Sequence, residues 1–164
     1  MTKLIYVDMD DVLCQFSARS QAIKYKYPEV NYPQSLYGFF SNLKPMPQAL
    51  EAMRFLCSQD IFEIYILTAP SIWNPLCYTE KRVWVEKHLG MDLVKKLIIS
   101  PNKGLNKGDY LIDDHIEGRG QEGFEGRLLH FGSNAFPDWE AVLTYFISNY
   151  GLKEAYSEFL ESSS

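Results

Sequence analysis

Five short apolar runs constrain this chain most: Leu4–Val7, Phe62–Leu67, Leu97–Ile99, Tyr110–Ile112 and Leu128–Phe131. They are rich in Ile, Val, Leu and Tyr, without the alternation that a half-solvated antiparallel strand shows. Strands of a parallel sheet covered on both faces have this composition. Helical patterns fill the gaps. Pro47–Leu56 opens on a proline and carries apolar residues at helical spacing, Thr79–Leu89 is closed by Gly90, and Pro137–Tyr150 is ended by Gly151. Strand and helix in alternation imply right-handed β-α-β crossovers. The expected fold is α/β: a doubly wound, mainly parallel five-stranded sheet in one domain over residues 1–164, long enough to bury a core.

One segment breaks the rhythm. Ser17–Tyr27 has a helical pattern, Pro28-Glu29-Val30-Asn31-Tyr32-Pro33 is rich in turn residues, and the aromatic group Tyr37-Gly38-Phe39-Phe40 follows. The first strand ends before this segment and the next core helix begins after it. It therefore reads as a small helical cap, inserted at about residues 17–44 over the carboxyl edge of the sheet. Open α/β sheets bind their ligands at that edge.

Composition removes several classes of function. A net charge of −5 argues against nonspecific binding to nucleic acid or to an anionic membrane, both of which need a basic surface. Cys14, Cys57 and Cys77 are odd in number and contain no C-x-x-C pair, which points away from a disulfide framework and towards a reducing compartment. The apolar run before Asp8 is too short for a signal peptide, and no stretch of about 18 apolar residues occurs. The cytoplasm is the expected location. Only the serine-rich end, Ser162–Ser164, reads as disordered.

The chemistry sits at strand ends. Asp8-Met9-Asp10-Asp11-Val12-Leu13 follows the first strand directly. Three carboxylates in four positions repel one another and are best tolerated around a cation, although a solvated acidic turn would read the same way. Tyr110-Leu111-Ile112-Asp113-Asp114 is a second apolar strand ending in paired carboxylates. Side by side, the two ends would form a hard-cation site of the magnesium type, with oxygen ligands and room for a substrate phosphate. Leu67-Thr68-Ala69-Pro70 ends the second strand with a hydroxyl and a free backbone N–H, which can hold a phosphate oxygen or simply close a turn. Lys81, near a helix start, and Lys103, ahead of the Asp113-Asp114 strand, could each neutralise a nucleophile and a phosphate. Each could equally be an ordinary surface lysine.

The order Asp-x-Asp, Thr, Lys, Asp-Asp resembles the haloacid dehalogenase superfamily, and within it the 5′(3′)-deoxyribonucleotidases. Asp8–Leu13 resembles that family's D-M-D-G-V-L opening, and Leu67-Thr68-Ala69-Pro70 is similar to its C-T-S-P. Tyr78–Lys87 resembles its Y-E-K-x-x-W-V-E-K helix, Leu111–Asp114 its L-I-D-D, and Trp139–Leu143 its terminal W-x-x-[IV]-L. Asp11 stands where the family usually has glycine, and the insertion is shorter than in the animal enzymes.

The resemblance implies a Mg2+-dependent phosphomonoester hydrolase acting on nucleoside monophosphates. Asp8 would attack phosphorus, and Asp10 would serve as general acid and base. Mg2+ would be held by Asp8, the Asp10 backbone carbonyl and the Asp113-Asp114 pair, with either member of that pair as the direct ligand. Thr68, Ala69, Lys81 and Lys103 would bind the phosphoryl oxygens. Phe16 and Phe40 of the cap could stack on a base, and core packing explains them equally well. Trp84, Trp139, His88 and His130 read as packing residues. Other readings are a phosphatase for a sugar phosphate, a receiver-type signalling domain and an inactive Mg2+-binding module. The receiver reading lacks a phospho-acceptor aspartate at the end of the strand before Thr68. Monomer and homodimer are both open.

Overall fold

In the computed structural model, which describes residues 1–162, the five apolar runs become five parallel strands. These are β1 (Lys3–Val7), β2 (Phe62–Thr68), β3 (Leu97–Ile99), β4 (Tyr110–Asp113) and β5 (Arg127–His130). Their order in the sheet is β3-β2-β1-β4-β5. The chain steps outward from β1 to β2 and β3, then returns to the other side of β1 for β4 and β5. β1 and β4 therefore flank the switch point, where connections leave in opposite directions and a crevice opens beyond the strand ends. Val7 pairs with both Ile66 and Ile112, so the residues that follow β1, β2 and β4 emerge side by side.

Strand parity divides the core in two. Ile5, Val7, Ile64, Ile66, Ile112 and Leu129 point into the larger cluster, and Tyr6, Leu67 and Leu111 into a smaller one with Phe124. The helices are α1 (Phe16–Lys26), α2 (Ala49–Cys57), α3 (Cys77–Leu89), α4 (Met91–Val94), α5 (Trp139–Tyr150) and α6 (Lys153–Ser162). The buried apolar residues of α1 to α5 all join the larger cluster. The links on either side of β4 form only short 3-10 turns, Lys103–Leu105 and Gln121–Gly123. The second link carries Gly118, Gly120, Gly123 and Gly126, which disfavour a helix.

Helix ends follow local chemistry. The Asp138 carboxylate accepts the Ala141 N–H at 2.9 Å and caps α5. α3 stops at Gly90, at a φ of 83° that glycine adopts most cheaply. α6 lies beyond Gly151, where the sequence reading placed no element. Its Tyr156 and Phe159 pack edge-on against Phe55, with centroids 4.8 and 5.4 Å away. The helical spacing of Ala155, Tyr156 and Phe159 is the signal that marks it. Ser162 closes α6, so the serine-rich end starts inside a helix; Ser163 and Ser164 lie outside the described residues.

The cap consists of α1, a 3-10 turn at Pro33–Ser35 and turns up to about residue 44. Ile23, Phe39, Phe40 and Leu43 carry it into the larger cluster. Two fully buried tryptophans tie the crevice region down. Trp84 donates its indole N–H to the Leu43 carbonyl and Trp139 to the Val12 carbonyl, both at 2.8 Å. Trp139→Phe would remove the indole N–H, leave a buried carbonyl in the loop after β1 without its donor and open a cavity where the pyrrole ring was. A loss of at least about 1–3 kcal/mol of unfolding free energy in urea is expected, and a smaller loss would show that the bond contributes little. Among the described residues no helix is long and apolar enough to cross a membrane, and Cys14, Cys57 and Cys77 form no disulfide.

Candidate active site

The loop after β1 is folded onto its own backbone. Asp8 donates its N–H to the Ile112 carbonyl on β4, and the Met9 carbonyl accepts the N–H groups of Val12, Leu13 and Cys14. Asp11 holds a φ of 57°, in the left-handed region that favours glycine and tolerates aspartate. Its carboxylate accepts both the backbone N–H of Ser17, at 2.9 Å, and the Ser17 hydroxyl. The charge that replaces the expected glycine thus satisfies an orphan donor in the first turn of α1 and fastens the loop after β1 to the cap.

Neither lysine is a surface residue. Lys103 is 1% exposed, and its Nζ lies 2.9 Å from Asp8 Oδ1 and also bonds Asp113 Oδ2. Lys81 is fully buried and donates to Asp10 Oδ2 at 2.9 Å, Thr68 Oγ1 at 2.6 Å and the Ala69 carbonyl at 2.9 Å. A buried ammonium needs such partners. The two lysines thus stand on either side of the β1 end, one bridging Asp8 to β4 and the other bridging Asp10 to β2.

The paired aspartates differ in what remains free. Asp113 is saturated: Lys103 bonds Oδ2, while Gln121 Nε2 and the His115 N–H bond Oδ1 at 3.1 and 3.0 Å. Asp114 has His115 Nε2 3.3 Å from Oδ2, but its Oδ1 is buried with no hydrogen-bond partner among the described residues. One carboxylate oxygen from each of Asp8, Asp113 and Asp114 lies within 4.8 Å of the others. A buried carboxylate oxygen without a donor has the vacancy a hard cation fills, so the residues fit a metal and favour Asp114 as the direct ligand.

Titration behaviour follows from this crowding. Burial, with Asp8 and Asp113 adding to it, pushes the Asp114 carboxyl up to about 8. Burial and Asp8 also raise Asp113, against the pull of Lys103. Asp10 is raised by burial, with Lys81 opposing. Burial acts to lower Lys103, but Asp8 and Asp113 outweigh it and hold the ammonium protonated.

Above this floor lies a cavity of about 300 Å³. Asp8, Asp10, Lys103 and Asp114 line its base, Ala69 and Pro70 one side, and Phe16 and Phe40 the cap side. Phe40 is 1% exposed and belongs to the core, with its ring 5.1 Å from Lys81 Nζ. Phe16 is half-buried, with its ring 5.2 Å from Phe39 and 6.0 Å from Phe40. Tyr37 is exposed. Of the residues read as packing, His88 lies against Trp84, while His130 places Nε2 3.1 Å from the Asp114 carbonyl.

Sequence reasoning missed several lining residues, among them Trp73, Gln121 and Arg119. Trp73 stacks on Tyr32 of the cap at 4.2 Å and 15°, and Gln121 holds Asp113. Arg119 sits on the glycine-containing link that carries Gln121, and its carbonyl accepts the Lys103 N–H at 2.7 Å. Turns carry no periodicity, so nothing local marked them.

The fold and the site suit a phosphatase, an enzyme that hydrolyses phosphoric monoesters, and the comparisons with known proteins indicate one. The family model for 5' nucleotidase, deoxy (pyrimidine), cytosolic type C protein matches residues 25–137. A protein of Vibrio phage KVP40, provisionally named a 5'(3')-deoxyribonucleotidase, is 39% identical over 149 residues, 88% of this chain and 85% of its own. The cytosolic-type 5'(3')-deoxyribonucleotidase of Homo sapiens is 37% identical over 106 residues, and the mitochondrial one of Mus musculus 31% over 115 residues. These matches span 65% and 70% of this chain but only 47% of each of the two mammalian proteins. The chain belongs to the 5'(3')-deoxyribonucleotidase family.

Proposed function

We propose that this protein is a Mg2+-dependent nucleotidase that removes the phosphate of deoxyribonucleoside monophosphates through a phospho-aspartyl intermediate on Asp8. The observation that carries this reading is the site floor. Lys103 bridges Asp8 and Asp113 while Asp114 Oδ1 stays open, beneath a cavity with an aromatic wall.

A carboxylate oxygen of Asp8 attacks phosphorus, and the bond from phosphorus to the ester oxygen breaks. Asp10, whose raised carboxyl can hold a proton, gives that proton to the departing alkoxide. A water then attacks the phospho-aspartate, Asp10 takes its proton, and inorganic phosphate leaves as the Asp8 carboxylate is restored. Lys81 and Lys103 neutralise the phosphoryl oxygens, with Thr68 and the Ala69 N–H as further donors. Asp8, Asp114 and the Asp10 backbone carbonyl would hold Mg2+, which would screen the repulsion between Asp8 and the phosphate.

Phe16 supplies the contact for a base, with the buried Phe40 ring packed behind it. A single stacking contact is worth about 1–3 kcal/mol, so discrimination between bases is expected to be weak. kcat/KM is to be compared for deoxyribonucleoside monophosphates, sugar phosphates and p-nitrophenyl phosphate. A nucleotide is expected to be hydrolysed fastest, and Phe16→Ala to lower nucleotide kcat/KM about tenfold or more while sparing p-nitrophenyl phosphate. Phe40→Ala is less clean, since emptying a core site costs about 3–5 kcal/mol of stability. If no nucleotide outruns the generic ester, the nucleotidase reading is lost and the phosphatase remains.

A further inference from the structure

Beside Lys81 on α3 stands Glu80, a second charged residue that is also buried, at 7% exposure. Among the described residues no cation pairs with its carboxylate. Its Oε1 accepts the backbone N–H of Gly38 at 2.7 Å, and its Oε2 accepts that of Phe40 at 3.0 Å. The Asn74 amide, also fully buried, donates to Oε2 at 3.3 Å and to the Leu36 carbonyl at 3.4 Å. One carboxylate therefore grips two alternate peptide groups of the cap, and Asn74 joins that grip to the loop after β2.

The grip falls where the cap needs an outside anchor. Gly38 holds a φ of 80°, and the segment around it is a chain of turns with no regular hydrogen-bond ladder. Without the grip the buried Phe40 N–H would be left without a partner, which costs about 1–3 kcal/mol, and the half-buried Gly38 N–H would lose its acceptor. Consecutive positions of α3 then set two walls of one cavity: Lys81 reaches the phosphoryl floor, and Glu80 fixes the peptide that carries the Phe40 ring. That ring lies 5.1 Å from Lys81 Nζ, so its placement also bounds the space beside the ammonium.

Resting on the nucleotidase reading above, we infer that Glu80 is a positioning residue for substrate selection: it sets the Phe40 wall, and with it the preference for a nucleotide over a small phosphate ester. Glutamine at this position keeps the shape but offers one acceptor oxygen, and turns an NH2 towards a backbone N–H. The wall then loses its fixed place while the phosphoryl floor keeps its own bonds. A displaced wall weakens the hold on the part of the substrate remote from phosphorus, and so acts mainly on KM.

The test measures kcat and KM separately for a deoxyribonucleoside monophosphate and for p-nitrophenyl phosphate, in the Mg2+-loaded wild type, Glu80→Gln and Glu80→Asp. For Glu80→Gln the nucleotide KM is expected to rise about tenfold, with kcat and both constants for the generic ester within about threefold of wild type. Glu80→Asp keeps two acceptor oxygens on a shorter stem; it is expected to fall between the two, and it carries the test alone if Glu80→Gln does not fold. Equal losses on both substrates, a loss confined to kcat, or no change would overturn the inference. A wild type without nucleotide preference would overturn the nucleotidase reading itself, a result visible before any variant is made.

Discussion

Asp8→Asn is expected to give a folded protein with less than about a hundredth of wild-type turnover, because an amide cannot attack phosphorus. The change is nearly isosteric, and the asparagine carbonyl can still accept from Lys103, which lies 2.9 Å from Asp8 Oδ1. It also removes a negative charge that presses on Asp113 and Asp114, which offsets the weaker pairing of buried Lys103, so the metal-free variant should stay close to the wild type in stability. Turnover and the thermal midpoint, measured on one preparation, check both halves. Residual activity above about a hundredth in a folded variant would remove Asp8 from the nucleophile's role. A large loss of stability would instead show that Asp8 is structural.

Removing the divalent cation should abolish turnover and also change how stability depends on pH. Without metal, the Asp114 carboxyl sits at about 8, raised by burial first and then by Asp8 and Asp113. The unfolded value is close to about 3.9. Between those values the folded state binds a proton that the unfolded state has released. Stability of the metal-free protein is therefore expected to fall as pH rises from about 4 to about 8. Asp113 is raised as well and acts in the same direction. With Mg2+ bound, Asp114 must be ionised, so the metal releases a proton and its affinity climbs towards pH 8. Thermal midpoints from pH 5 to 9, with a chelator and with excess Mg2+, should diverge as pH rises. Calcium should inhibit turnover, since its looser coordination misplaces the in-line geometry. Parallel pH profiles, or full activity in excess chelator, would sink the metal assignment.

Much of the fold was legible because buried parallel strands and amphipathic helices are local patterns. All five strands lie within a residue or so of the apolar runs, and Gly90 ends α3 where the sequence places the stop. α6 was missed although Ala155, Tyr156 and Phe159 carry its spacing, because it follows a glycine stop and fills few apolar positions. The acidic strand ends and Thr68 were legible as residue types at strand ends, and the lysines only as candidates, Lys81 near a helix start and Lys103 ahead of the Asp113-Asp114 strand.

Their pairing was not. That Lys103 belongs with Asp8 and Asp113 while Lys81 belongs with Asp10 and Thr68 depends on β1 lying between β2 and β4, which strand order alone decides. The identical neighbours Asp113 and Asp114 are separated only by Gln121, Lys103 and the His115 N–H, which saturate one and leave an oxygen of the other open. Hydrophobic periodicity and turn chemistry are written into consecutive residues, so the sequence by itself determined the elements and the kind of site. Desolvation and hydrogen-bond saturation depend on which distant groups arrive at one point in space, and so only the tertiary structure decided which carboxylate is free, which lysine is whose partner, and that Glu80 holds the cap.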